Sequence, residues 1–325
     1  MSRVRYASII VLTLTGLAFA QPPQTPPTAP PGSATAARPG AGRGGFPQVV
    51  IGPAAPVPPQ VAIPRPTPAE LDQVNQAVKR WIDADNSPDK PLLKKFQSLL
   101  MLEPPRLNVA ATYTQTTLRM GPRHEGFVEI AKKGDIDLLL DGDSITDWWV
   151  QGDANKAMFD KYFGGMKTAN FAIAGDTTQG VLWGLKNGEG QGFQPKAIML
   201  MIGTNNTGGT DYAGTSTAAE IAEGVGAVVQ EMRTDFPDAK ILLLAIFPRG
   251  VPGDSVRDKI AHINRIISKL DDQRHVFYLD IGAKFLDDQG YFLPDTFRPD
   301  NLHPVAKGYD IWGAAVKDKL AELMK

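Results

Sequence analysis

Four short stretches of this chain hold side chains suited to nucleophilic chemistry, and each also has an ordinary structural explanation. In Asp141-Gly142-Asp143-Ser144-Ile145-Thr146, an apolar run ends in a glycine turn and a serine. At the start of the next helix its hydroxyl would be exposed, and the helix dipole favours developing negative charge there. Serine is equally a good helix cap, and no Gly-x-Ser-x-Gly elbow surrounds it. Gly175 in Ala174-Gly175-Asp176-Thr177-Thr178 lets a backbone N–H approach a substrate oxygen, or simply makes a turn. Asn205 and Asn206 in Gly203-Thr204-Asn205-Asn206 offer uncharged amide donors, or bond their own backbone. Which of the two points inward is open. The fourth stretch is Asp300-Asn301-Leu302-His303-Pro304, where a carboxylate three residues before a histidine can orient its ring. A helix-entry turn with a satisfied histidine is its alternative. The other histidines have bland settings: His124 in a polar stretch, His262 within a helix, His275 before a strand.

These stretches need a scaffold that brings distant residues together, and the apolar pattern supplies one. Strands are expected at Ile136–Leu140, Thr168–Ile173, Ala197–Ile202, Ile241–Phe247 and Val276–Ile281. Continuous apolar runs suit strands covered on both faces. Helices are expected at Asn155–Phe163, Thr178–Lys186, Thr217–Thr234, Ser255–Leu270 and Val305–Met324. The alternation predicts an α/β fold with a five-stranded, parallel, doubly wound sheet in three αβα layers. Ligands in such folds collect beyond the carboxyl ends of the strands, where the four stretches fall.

Composition divides the chain. Of its 27 prolines, 15 lie between Pro22 and Pro68. The first 68 residues hold five arginines and no acid, so the formal charge of −1 leaves −6 on residues 69–325. That charge gives no footprint for nucleic acid. The absence of cysteine excludes disulfides, thiolate metal sites, a thiol nucleophile and cysteine lipidation. Residues 1–20 read as a secretory signal: Arg3 and Arg5, a short apolar run, then Ala18-Phe19-Ala20 as the cleavage site. About 14 apolar residues fall short of the roughly 20 that span a bilayer, so a secreted or periplasmic protein without stable membrane insertion is expected. Residues 21–66 are expected as a proline-rich, disordered tether. Residues 67–118 form a helical extension opened by a Thr67-Pro68-Ala69-Glu70 capping box, with a second helix over Pro91–Leu102, both packed on the main domain at 119–325.

Taken together in their order, Gly142-Asp143-Ser144, Gly175, Gly203-Thr204-Asn205 and Asp300-x-x-His303 resemble the SGNH (GDSL-type) serine hydrolases. A nearer resemblance is to the branch holding the catalytic subunits of platelet-activating-factor acetylhydrolase and related bacterial esterases. Asn170–Thr178, Val181-Leu182-Trp183, Gly203–Asn206 and Ile246-Phe247-Pro248-Arg249-Gly250 carry it. Ile145 replaces the leucine of GDSL, and Thr207 stands where a polar or basic residue often occurs, so the lipid substrate does not transfer. The resemblance, over residues 120–325, implies a flavodoxin-like fold and a cofactor-free esterase for short acyl groups, acetyl above all, and the expected export points to a small-molecule or carbohydrate ester as substrate. Ser144 would be the nucleophile, His303 the base and Asp300 its orienter. The N–H groups of Ser144 and Gly175 and the Asn205 amide would hold the oxyanion. Asp143, Trp148, Thr177, Asn206 and Arg249 are the candidate substrate-lining residues.

Two rivals use the same residues. Asp141-Gly142-Asp143 loosely resembles the Asp-x-Asp of haloacid-dehalogenase-type phosphatases, with Asp141 as nucleophile, magnesium as counter-ion and Asp287-Asp288 as further carboxylates. An inactive carbohydrate-binding relative would instead use Trp148, Trp149 and Trp183 to stack on sugars.

Overall fold

The computed structural model describes residues 49–208 and 216–325; the expected leader and the tether as far as residue 48 lie outside them. The apolar runs form parallel strands β1 (Leu138–Gly142), β2 (Thr168–Asn170), β3 (Ala197–Met201), β4 (Lys240–Leu244) and β5 (Val276–Leu279), ordered β2-β1-β3-β4-β5. The register sets Leu138 opposite Thr168 on one side and Ala197 on the other. The helices in chain order are α1 (Pro68–Ala84), α2 (Lys90–Lys95), α3 (Pro122–Lys133), α4 (Ser144–Asp147), α5 (Asp153–Phe163), α6 (Thr178–Gly184), α7 (Ala218–Asp235), α8 (Ser255–Ile267) and α9 (Ala306–Leu323).

Why the strands lack polar alternation is visible in their side chains. Leu139, Ile198, Leu200, Ile241 and Leu243 pack with Phe127, Val181, Val225 and Ile263 from α3, α6, α7 and α8. Their neighbours Leu138, Leu140, Met199, Leu242 and Leu244 pack with Phe163, Tyr309, Trp312 and Val316 from α5 and α9. Both faces are therefore dry, and three layers result. Chain order reverses between β1 and β3, so the turn after β1 and the turn after β3 open onto one crevice. No helix among the described residues is long and apolar enough to cross a membrane.

Several boundaries differ from the pattern reading. Residues 122–133 form α3 rather than a polar stretch. Pro122 at its first turn and Gly134 in a left-handed cap (φ 74°) were the signals, obscured because only Phe127 and Ala131 are buried. The second extension helix stops at Lys95 and continues as a tight turn over Gln97–Leu100. The capping box at Thr67 and Glu70 forms, and Ile82 of α1 is buried. Residues 109–112 and Thr114, expected as extension, are buried in the main domain.

Most unlike the expected tether, residues 49–66 lie ordered against the fold. The Ala55 N–H donates to Ala111 C=O at 2.8 Å, and Tyr113 N–H donates to Pro53 C=O at 2.9 Å. Val61 packs so tightly that a Cβ on Gly226 of α7 would sit 2.5 Å from it. Glu223 of α7 accepts from both terminal nitrogens of Arg65 at 2.6 Å, from Ile63 N–H at 2.7 Å and from Asn108 at 2.9 Å. Proline prevents a core of its own but not an extended arm borrowing partners from a finished domain. Burial opposes the Glu223 charge, yet its bonds to Arg65, Ile63 and Asn108 outweigh burial and lower its pKa.

Arg119, in the short turn before α3, is fully buried. Its Nε donates to Asp176 at 2.7 Å, one terminal nitrogen donates to Glu189, and the other lies 3.7 Å from Asp141. The remaining Glu189 oxygen meets His124 Nδ1 at 2.7 Å. Burial pushes the Asp141 carboxyl up to about 8, with Arg119 opposing, and burial likewise raises Asp176. For Arg119 burial acts downward, but the surrounding carboxylates outweigh it and hold the charge. In this dry site Asp141 and Asp176 retain protons more readily than in water.

Two outcomes follow for stability. Arg119→Met strands buried carboxylates and should cost about 3–5 kcal/mol in urea unfolding; a loss below about 1 kcal/mol would show that the cluster does not hold the strand ends. Because the folded pKa of Glu223 is depressed, its contribution is present above the ordinary glutamate value of 4.5 and fades as pH falls through the lower folded value. Glu223→Gln should flatten that acid limb of stability measured from pH 7 to pH 3.

Candidate active site

Each residue at the crevice is aimed by the element that precedes it. Strand β1 ends in Gly142, where a Cβ would meet Met201 C=O at 2.4 Å and Thr146 Oγ1 at 2.7 Å, so only glycine passes. Asp143 then caps α4, its carboxylate accepting from Ile145 N–H at 3.0 Å. Ser144 is the first residue of α4, and its N–H has no partner within the helix. Its side chain is nearly buried, 4% exposed, but reaches His303 across 159 residues of sequence.

Ser144 Oγ lies 2.8 Å from His303 Nε2, and His303 Nδ1 lies 2.7 Å from Asp300 Oδ2. A carboxylate only accepts, so Nδ1 carries the proton and Nε2 is left to accept from the serine. The second Asp300 oxygen accepts from the N–H groups of Leu302 and His303, both at 3.0 Å. Partial burial works against the Asp300 charge, but the His303 side-chain and backbone bonds win and hold its pKa below the usual carboxylate value. Tyr309 of α9 donates to Ile145 C=O at 2.9 Å, locking the helix behind the histidine to the helix behind the serine.

On the opposite side, Gly175 turns in the left-handed region (φ 85°). Leu118 stands 3.4 Å from where a Cβ on Gly175 would be. No spacing signal marked Leu118, which comes beside Gly175 from the short turn before α3. The two asparagines separate cleanly. Asn206 is buried, accepting from Thr178 N–H at 3.1 Å and donating to Gln179 at 3.0 Å, so it is structural. Asn205 is half-buried at the strand end, its Nδ2 donating to Asp176 C=O at 2.8 Å, which orients the amide. Thr177 is buried at the cap of α6 rather than exposed to a ligand.

Around the rim, the Trp148 ring lies 4.1 Å from the His303 ring, and the Arg298 guanidinium lies 4.4 Å from the Trp148 centroid. Arg249 donates to Thr204 C=O at 3.3 Å, next to Asn205. Asp143 is fully buried, and burial pushes its carboxyl up to about 7, with the Ile145 N–H and Arg249 pulling the other way. Arg298 and Arg123 carried no sequence signal. Arg123 grips Asp147 of α4 with two bonds, 2.9 and 3.0 Å, and donates to Ala172 C=O at 2.9 Å.

The rival assignments lose their geometry. Asp141 is wholly buried facing Arg119, with no approach for a phosphate. Asp287 is spent on an exposed turn, accepting from Gln289 and Tyr291 N–H at 2.9 Å. Trp149 is buried among Phe163, Tyr309 and Trp312, so it stacks on the core and not on a sugar. Trp183 lies against His124, 4.8 Å between ring centroids.

Comparison with known proteins agrees with this geometry. A family model described as GDSL-like lipase/acylhydrolase matches residues 142–311. The alpha2 subunit of platelet-activating factor acetylhydrolase IB from Rattus norvegicus is 36% identical over 202 residues, covering 62% of this chain and 82% of the relative. The alpha1 subunit from Bos taurus is 30% identical over 187 residues, covering 57% and 75%. A solved Bacteroides fragilis structure, described as a candidate acylhydrolase, shares the fold with a TM-score of 0.51 at 17% identity, over 65% of this chain and all of its own. With the matched region beginning one residue before Asp143 and running past His303, this chain belongs to the GDSL-like lipase/acylhydrolase family and is an ester hydrolase.

Proposed function

We propose that the chain is a secreted serine esterase that removes short acyl groups, acetyl first, from small-molecule or carbohydrate esters through an acyl-enzyme. The observation that carries this reading is the continuous relay Ser144–His303–Asp300, with bonds of 2.8 and 2.7 Å. Ser144 Oγ attacks the ester carbonyl while Nε2 of His303 takes its proton. Asp300 holds the ring and offsets the imidazolium charge. The tetrahedral oxygen is received by the N–H groups of Ser144 and Gly175 and by the Asn205 amide. His303 then returns the proton to the departing alcohol. Water, deprotonated by the same imidazole, releases the carboxylic acid and restores Ser144.

Leu118 beside Gly175 supports a short acyl group, because an apolar side chain there occupies space that a longer chain would need. Export rests on the basic start, apolar run and Ala18-Phe19-Ala20 of the leader. It predicts a mature protein beginning at Gln21, read by N-terminal sequencing of exported material.

For catalysis, Ser144→Ala should abolish hydrolysis of 4-nitrophenyl acetate and labelling by a fluorophosphonate. Retention of wild-type turnover would refute the assignment. Asn205→Ala should lower kcat by about 10²–10³ with little change in KM, the cost of one oxyanion donor. Leu118→Ala should raise activity on butanoyl and hexanoyl esters relative to acetyl; an unchanged chain-length profile would place the acyl limit elsewhere.

A further inference from the structure

The alcohol half of the ester has a defined place if the acyl-enzyme reading above holds, and this inference rests on that reading. Because Nε2 of His303 must hand its proton to the leaving oxygen, the alcohol has to lie against the edge of that imidazole. The wall next to this position is Trp148, whose ring is 4.1 Å from the His303 ring, and against Trp148 lies the exposed Arg298 guanidinium at 4.4 Å. Arg298 is not a loose surface residue at its backbone. Its N–H donates to His303 C=O at 2.8 Å, and its C=O accepts from Asn301 N–H at 3.0 Å. The side chain therefore springs from the same turn that carries the base, and an arginine stacked on an indole has less freedom to lose on binding.

Charge completes the picture. Among the described residues, Arg65, Arg106, Arg119, Arg123 and Arg233 have carboxylate ion-pair partners, and of the arginines without one, Arg298 and Arg249 are those beside the catalytic turn and the Asn205 loop. The carboxyl groups facing this rim are otherwise engaged. Asp300 is bonded to His303 and its own backbone, and Asp143 is buried on Ile145 N–H. Arg249 sits on the far side of the same rim, where Gly250 N–H donates to Asn301 C=O at 2.9 Å. Its own bonds are two long ones, to Thr204 C=O at 3.3 Å and Thr207 Oγ1 at 3.5 Å. Arg249 has the buried Asp143 carboxyl nearby, whereas Arg298 has no ion-pair partner among the described residues, and a guanidinium so placed beside a reaction centre can receive an oxyanion through paired N–H donors.

We propose that Arg298, seated on Trp148, is a specificity residue that receives an anionic group on the alcohol half of the substrate, so that the preferred esters are acetylated alcohols bearing a carboxylate or phosphate, such as acidic sugars. Arg249 adds to the positive potential from the oxyanion side. The anion is bound and not transformed; it orients the alcohol so that its esterified oxygen faces His303.

The test compares mono-acetylated methyl glucuronide with its neutral uronamide, which differs only in the charged group, and with mono-acetylated glucose 6-phosphate. Wild-type kcat/KM should favour the uronate or the phosphate over the uronamide by about tenfold or more, as one charge-assisted bond provides, chiefly through KM. The preference should shrink as salt rises. Arg298→Gln should bring the ratio towards one, and Arg298→Lys should recover part of it, which a merely structural role would not do. The uronate and phosphate arms identify which anion is the better fit. A wild-type ratio near one, or a ratio that Arg298→Gln leaves intact, overturns the proposal while leaving the esterase reading in place. Failure of the wild type to label with fluorophosphonate at Ser144 would instead remove the catalytic reading, and this inference with it.

Discussion

A single buried cation organises the crevice. Arg119 binds the carboxylate at the end of β1, the carboxylate in the turn after β2 and Glu189 beyond α6, three points that the sheet alone leaves free to separate. Its reach extends one bond further on each side. Asp176, held by Arg119, presents the carbonyl that orients Asn205, and Asp141 immediately precedes the glycine turn to Ser144. Ser144 and Asn205, the proposed nucleophile and oxyanion donor, are thus referred to one guanidinium. The desolvation of that charge is offset only because three carboxyl groups surround it, so the arrangement tolerates little loss.

His303, the proposed base, arrives from the other end of the chain, and different forces hold it. Helix α9 is anchored in the second core by Tyr309, Trp312 and Val316, and the Tyr309 hydroxyl ties it to the start of α4. The turn before it closes through Asp300, which satisfies two backbone N–H groups and the imidazole at once. A carboxylate so employed is stabilised in its charged form, which keeps the ring in the tautomer that can accept from serine. The Trp148 ring limits the imidazole from the side, so the base has one orientation rather than several.

Much of this was legible from residue order. Five continuous apolar runs required strands buried on both faces, and the serine, glycine, asparagine and aspartate–histidine segments fell at their ends. The parts that were misread are those where neighbours, not local pattern, decide. Residues 49–66 are rich in proline and lack a core of their own, yet Glu223 and the backbone of residues 111–113 give them partners. Helix α3 buries only Phe127 and Ala131, too few for a periodic signal, and nothing local to Arg119 announces the three acids it meets.

The sequence by itself determined the sheet, the order of the reactive residues and the absence of thiol chemistry, because strand burial and side-chain type are local properties of the chain. Tertiary structure alone decided which of two asparagines faces the crevice, that Asp141 serves Arg119 and not a substrate, and that Arg298 rests on Trp148 beside the base. Those are questions of distance between residues far apart in the chain, and no spacing along one strand or helix encodes the charge or cavity that another element brings to it.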